Sequence, residues 1–291
     1  MKPAPFEYFD PRTVDEAVAL LREHGEDAKI LAGGQSLMPL LNMRMARPEA
    51  LVDLSKVTGL EYIRETDGAV AIGAMTSKRD VERSELVKSR QPLLHAATLL
   101  IAHPQIRNRG TVGGSMAQAD PAAEYPAVAL VLDAELRAAG PDGERTIKAR
   151  DFFISYLTTA LEPAEILTEV RFPMLAEETG WAFQELSRRH GDFAMAGAAV
   201  TLSMEGGGRC REARIVLFGV GPTPLRAGGA EQVIVGENLE QPLLEVAGRK
   251  AGEDLDEPLS DVHASAEFRR HLAEVLTRRA LGEAVTRAGG G

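Results

Sequence analysis

Val14, Ala17, Val18 and Leu21 recur at helical spacing, so one face of this stretch is apolar. Thr13-Val14-Asp15-Glu16 in front of them is a capping box, in which the Thr13 hydroxyl accepts an orphan amide and the Glu16 carboxylate reaches back. Gly25 is suited to end this helix. Residues 29–32 and 50–54 read as short strands, the first running straight into Gly33-Gly34. From 60 to 74 apolar positions alternate on both sides of Asp67-Gly68, which predicts a hairpin with a two-residue turn. A charged helix is expected over about 78–87 and an apolar one over 92–102. Pro104 ends the latter, because the residue before a proline is pushed out of helical conformation. An apolar helix near 123–132, a hairpin turning at Pro141-Asp142-Gly143 and a strand over 166–172, closed by Pro173, complete the first unit.

From Trp181 the texture changes to long strand candidates over 182–187, 194–204 and 213–220. His190-Gly191-Asp192 and the run Gly206-Gly207-Gly208 join them. Helices follow, the last over 265–286 with Phe268, Leu272, Val275 and Leu276 as its apolar stripe, and Gly289-Gly290-Gly291 read as a frayed tail. Strands followed by helices predict a separate α+β domain after a mixed first unit.

Composition narrows what this framework does. With 44% hydrophobic and 26% charged residues the chain is globular, and with only 5% aromatics its core is filled by aliphatic side chains and alanine. A net charge of -10 disfavours nucleic acid, which wants a basic face, and an anionic membrane surface. No apolar run reaches the ~18 residues of a membrane span, and the polar, proline-rich start predicts a cytoplasmic protein. Cys210 is the only cysteine, too few for a disulfide, a zinc site or an iron–sulfur cluster. A redox centre here is therefore a bound organic cofactor or sits on another chain.

Two segments carry candidate chemistry. In Ala32-Gly33-Gly34-Gln35-Ser36-Leu37, adjacent glycines leaving a strand bring several N–H groups to one anion, and Ser36 is placed to cap the next helical turn. The alternative is a plain tight turn. Arg107-Asn108-Arg109-Gly110-Thr111-Val112-Gly113-Gly114-Ser115 repeats the glycine pair beside hydroxyls and two arginines. Hydrogen bonds to a charged group contribute roughly 1.5–3 kcal/mol each, so three or four free amides would hold a diphosphate despite the acidic surface. The arginines are equally suited to solvated surface or fold-stabilising roles. Gly219-x-Gly221-x-x-Pro224 breaks the dinucleotide fingerprint at its third glycine. The histidines, among them His24, His95, His103 and His190, show no metal-ligand spacing, and no nucleophile-elbow motif occurs.

Taken together, the two segments closely resemble the FAD-binding medium subunit of the molybdenum hydroxylases, the carbon monoxide dehydrogenase and xanthine dehydrogenase relatives. The resemblance extends to Ile101-Ala102-His103-Pro104-Gln105-Ile106 and to Ser187-Arg188-Arg189-His190-Gly191-Asp192-Phe193-Ala194, and covers essentially the whole chain. It implies an α+β fold: a two-part FAD-binding domain of the vanillyl-alcohol oxidase-like (PCMH) type over 1–177, divided near 57, and a C-terminal α+β domain over 178–291. Ala32, Gly33, Gly34, Gln35, Ser36 and Leu37 would embrace the FAD diphosphate from one side. Gly110, Thr111, Gly113, Gly114 and Ser115 would do so from the other. Ile101, Ala102, His103 and Ile106 would lie along the flavin and ribityl chain, Asp120 and Glu124 would reach ribityl or adenosine hydroxyls, Leu167 would pack near the adenine, and Phe193 would sit by the isoalloxazine. By residue chemistry alone Leu167 also suits a core strand, and Asp120 before Pro121 also suits a turn or cap.

Three positions depart from the pattern. Phe193 stands where relatives often carry tyrosine, Glu124 matches an aspartate of the animal xanthine enzymes, and Gln184 falls near one of their lysines. The resemblance further implies a small [2Fe–2S] subunit and a large molybdopterin subunit as partners in a dimer of heterotrimers. Their clusters would deliver electrons to the FAD of this chain for a terminal acceptor. In that family the large subunit chooses the substrate, which leaves carbon monoxide, a purine, nicotinate or an aldehyde open. A freestanding FAD-dependent reductase or oxidase is the rival reading and needs a convergent acid or base beside the flavin. A third reading, an assembly subunit without cofactor, is opposed by the intact glycine pairs.

Overall fold

The computed structural model describes residues 2–205 and 208–289. Gly206, Gly207, Gly290 and Gly291, in the expected glycine turn and tail, lie outside the described residues. The chain begins with three short parallel strands in the spatial order Glu7–Phe9, Ala50–Asp53, Ala28–Leu31. Helix Val14–His24 packs on them through Ala17, Val18 and Leu21, and its capping box forms as read: Glu16 N–H donates to Thr13 Oγ1, and Thr13 N–H donates to Glu16 Oε2.

A five-stranded antiparallel sheet follows, ordered Ile63–Thr66, Ala69–Gly73, Ile166–Pro173, Glu135–Gly140, Gly143–Lys148. Its first hairpin turns at Asp67 and Gly68, both at positive φ (46° and 75°), as a two-residue turn requires. Helices Pro92–Leu100, Val112–Gln118 and Glu124–Val131 contribute to the core with this sheet, and the last is buried along its whole length.

A second antiparallel sheet, Gly180–Leu186, Ala196–Met204, Cys210–Phe218 and Leu225–Arg226, explains the long apolar runs of the second half. It is covered on both faces. Ala182, Ala198, Val200, Ile215 and Leu217 point to helices Gly228–Ile234, Gln241–Glu253 and Ala266–Gly289. Phe183, Ala199, Val216 and Phe218 point the other way and join the core of the first sheet. A strand covered on both sides has no polar face to keep, so its sequence does not alternate.

Four expectations are corrected. The charged helix over 78–87 is two helices, Lys78–Arg83 and Glu85–Arg90, because Ser84 leaves helical conformation and its hydroxyl caps the second by accepting from Val87 N–H. The apolar helix stops at Leu100, and Pro104 opens a further turn, Pro104–Arg107, where its missing N–H costs nothing. Gly113 and Gly114 lie not in a loop but in the first turn of helix Val112–Gln118. On the final helix Phe268 is exposed. The buried seam is Leu272, Ala273, Leu276, Ala280, Leu281 and Ala284, whose alanines let the helix approach the sheet closely.

A cavity between two glycine-rich segments

All the residues singled out from the sequence as binding candidates line one cavity of about 730 Å³. That lies within the range of roughly 300–1,000 Å³ usual for cofactor pockets. One wall is the segment leaving strand Ala28–Leu31, namely Ala32, Gly33, Gly34, Gln35, Ser36 and Leu37. Facing it are Gly110, Thr111, Gly113, Gly114 and Ser115. Ile101, Ala102, His103 and Ile106 form a third side, Asp120, Glu124 and Leu167 a fourth, and Phe193 stands 63% exposed at the rim.

The first segment is an open turn. Gly34 has φ +72°, Gln35 Nε2 donates back to the Gly33 carbonyl at 2.9 Å, and helix Leu37–Asn42 follows at once. Ser36 makes no capping hydrogen bond, contrary to expectation, because its own backbone is helical rather than extended. Among the described residues the N–H groups of Gly33, Gly34, Gln35 and Ser36 find no protein acceptor. Together with the helix start beyond them they form a concentration of positive partial charge beside the cavity.

The second segment is built differently. Thr111 is extended and its Oγ1 accepts from Gly114 N–H at 3.0 Å. Val112 N–H donates to the Thr76 carbonyl, Gly113 N–H to that of Ala74 and Ser115 N–H to that of Thr111. Most of the free amides expected here are therefore already engaged; among the described residues Thr111 N–H alone of this segment finds no protein acceptor. What this side brings to the cavity is two hydroxyls, a helix start and room for close approach. The two segments also touch. A Cβ at Gly33 would fall 2.1 Å from the Arg109 carbonyl oxygen, and one at Gly114 would meet Thr111 Oγ1 at 2.8 Å and Ala32 Cβ at 3.5 Å.

The arginines take the fold-stabilising alternative. Arg107 is buried: its Nη1 donates to the carbonyls of Ile101 and Ala102 at 2.7 and 3.0 Å, and its Nε to Glu82 at 2.9 Å. It thereby holds the bend at Ala102, whose φ is +44°. Arg109 is exposed and offers its backbone, not its guanidinium, to Gly33. Gly191 packs on the same bend, for a Cβ there would lie 2.8 Å from His103 Cε1.

The carboxyls on the fourth side are unusual. Burial pushes Glu124 up to about 7, with the Lys78 charge pulling it down. Burial also raises Asp120, whose Oδ1 accepts from Ala122 N–H, so it makes the expected turn as well as facing the cavity. Gln184 does not face this side. It donates to Glu283 on the final helix, and alternation along the strand turns Glu185 toward Glu124 instead, where burial raises its carboxyl to about 8. Lys78 also lines the cavity and was missed in the sequence, since a lysine at the start of a charged helix reads as solvated surface. Its backbone N–H donates to the carbonyl of Gly110, a pairing that no local sequence signal exposes.

Comparison with known proteins accounts for this architecture. The family described as FAD binding domain in molybdopterin dehydrogenase matches residues 4–175, and that described as CO dehydrogenase flavoprotein C-terminal domain matches 181–284. The 6-hydroxypseudooxynicotine dehydrogenase complex subunit alpha of Paenarthrobacter nicotinovorans is 43% identical over 99% of this chain and 97% of its own length. The carbon monoxide dehydrogenase medium chain of Hydrogenophaga pseudoflava is 41% identical over 99% of both chains. A solved carbon monoxide dehydrogenase from Hydrogenophaga pseudoflava, one lacking the Mo-pyranopterin moiety of the molybdenum cofactor, superposes with a TM-score of 0.95 at 42% identity over 99% of both chains. The chain belongs to the FAD-binding medium subunits of the molybdenum hydroxylases.

Proposed function

We propose that this chain seats FAD in the cavity with the diphosphate between the two glycine-rich segments, and that it works beside a small [2Fe–2S] subunit and a large molybdopterin subunit in a cytoplasmic dimer of heterotrimers. The observation that carries the binding mode is the row of unengaged N–H groups from Gly33 to Ser36 at the cavity wall, facing the hydroxyls of Thr111 and Ser115. A diphosphate is the part of FAD that supplies acceptors for both. The elongated pocket, apolar at Leu37, Ile101 and Leu167, suits the two ring systems on either side.

When bound, FAD would supply a centre able to take electrons singly from iron–sulfur clusters and give them in pairs to a terminal acceptor. The chain's own part is to bind and orient. The Arg107 clamp fixes the Ile101–Ala102 bend that lies along the cavity, and the Gly191 turn closes over it. Asp120 and Glu124 present carboxyls to sugar or ribityl hydroxyls, and Glu124, pushed up to about 7 by burial, can donate as well as accept such bonds in its protonated form. Phe193 has no hydroxyl, so what it offers the ring at the rim is an apolar face. Exposed Ile154 and Tyr156 on the hairpin that also brings Leu157 to the cavity give a partner subunit an apolar surface beside it.

The substrate belongs to the large subunit. Relatives 43% and 41% identical to this chain are named for 6-hydroxypseudooxynicotine and for carbon monoxide respectively. The test is the visible spectrum of the purified full chain, with identification of the chains that copurify with it. Bound FAD and two partners of the stated kinds are expected. Turnover of a small substrate by the chain alone would instead favour a freestanding flavoenzyme.

A further inference from the structure

Lys78 is the cavity-lining cation that no role above uses. Its backbone N–H donates to the Gly110 carbonyl at 2.8 Å, and Ser77 bridges to Thr111, so the side chain departs beside the second segment. Its methylenes run past Gly110, where a Cβ would lie 3.6 Å from both Cδ and Cε. The ammonium ends 5.4 Å from the centroid of the buried Tyr125 ring. On its own helix Glu82 is already taken by Arg79 and Arg107, and Asp80 accepts from Ser77 Oγ. Glu124 attracts it through space, and Asp120 lies beyond. Glu185 stands behind Glu124, and Glu82 and Arg107 behind Tyr125. Burial lowers the ammonium's affinity for its proton, with Glu124 working the other way.

Lys78 is half-buried and has no ion pair among the described residues, so an anion that joins it in the cavity is stabilised. On the second segment the helical amides are spent, so it offers fewer unengaged donors to an anion than the first. The diphosphate is the anionic part of FAD. We infer that Lys78 is a cofactor-binding residue whose ammonium supplies, on the Gly110–Ser115 side, the positive charge against which the FAD diphosphate is seated. The inference rests on the FAD reading of this cavity.

A consequence is proton linkage. An anion beside Lys78 favours its protonated form, and Glu124's as well, so the loaded cavity holds protons more tightly than the empty one. Affinity for FAD is then full at low pH and falls as pH rises from about 7, where the empty cavity begins to release them.

The test measures dissociation constants of FAD and of riboflavin, which lacks the diphosphate, on the flavin-stripped full chain by flavin fluorescence across this pH range. Lys78→Met and Lys78→Gln are expected to weaken FAD by about tenfold or more, the loss of one hydrogen bond to a charged group. They should remove the Lys78 part of the pH dependence, leaving the part near 7 that Glu124 contributes, and leave riboflavin unchanged, while Lys78→Arg keeps most of the affinity. Circular dichroism checks the fold, and either neutral variant that folds decides the matter. FAD affinity within about twofold of wild type with an unaltered pH profile would overturn the inference alone, as would an equal loss for riboflavin. A wild-type chain that takes up no FAD would overturn the cofactor reading, and this inference with it.

Discussion

The two glycine pairs share a spelling and little else. Gly33-Gly34 sits in an irregular turn, takes a positive φ at Gly34 and leaves its amides unengaged. Gly113-Gly114 is helical, has negative φ throughout and has its amides engaged by Ala74 and Thr111. In the first the missing side chains free the backbone to present donors. In the second they let a helix start abut the end of strand Ala69–Gly73, since a Cβ at Gly113 would lie 2.5 Å from that of Ala74. A repeated motif is thus two physical devices that meet at one cavity, one electrostatic and one steric.

Substitutions sharpen this contrast in a definite order. Gly33→Ala sets a methyl against the Arg109 backbone, which has no rotamer to yield with. It should cost more than about 3 kcal/mol and empty the chain of flavin, as measured by thermal unfolding and by the ratio of flavin to protein absorbance. A stable, fully flavinated variant would show that the segments do not rest on each other. Gly113→Ala comes next, at about 1–3 kcal/mol, because Ala74 shifts only with its strand. Its flavin loss should track its unfolding instead of preceding it. Gly114→Val should leave most of the fold intact and abolish flavin retention, since its added atoms meet the Thr111 hydroxyl and then the cavity. Normal flavin content there would refute the placement of the diphosphate. The smallest pair is the most discriminating: Thr111→Ala should cost about 1 kcal/mol through the lost cap, and Ser36→Ala less than about 0.5, because Ser36 caps nothing.

What was legible in the sequence was local. The Thr13 capping box, the Asp67-Gly68 turn and the two glycine-rich segments were each signalled within a few residues, whereas Asp120, Glu124, Leu167 and Phe193 were reached only through the family resemblance. What was not legible depended on packing. Ser84 reads as an ordinary helix residue until its hydroxyl is seen holding the next turn. Phe268 is more apolar than Ala273 or Ala280, yet the close approach of the final helix selects the small residues and turns the ring to solvent. The engagement of the Gly113 amide depends on Ala74, almost forty residues earlier, which no spacing rule relates to it. Which of Gln184 and Glu185 turns toward Glu124 depends on strand register, and a shift of one residue exchanges the faces.

The Gly191 turn packs on the Ala102–His103 bend, while the opposite wall was laid down from residue 32. During synthesis the chain therefore completes both glycine segments well before the piece that closes over them leaves the ribosome. The contacts that finish the pocket are among the most distant in sequence, and such contacts form late because loop closure must precede them. The cavity is accordingly complete only once the chain extends past Phe193, and a product truncated before Gly191 would lack the turn that packs on the Ala102–His103 bend.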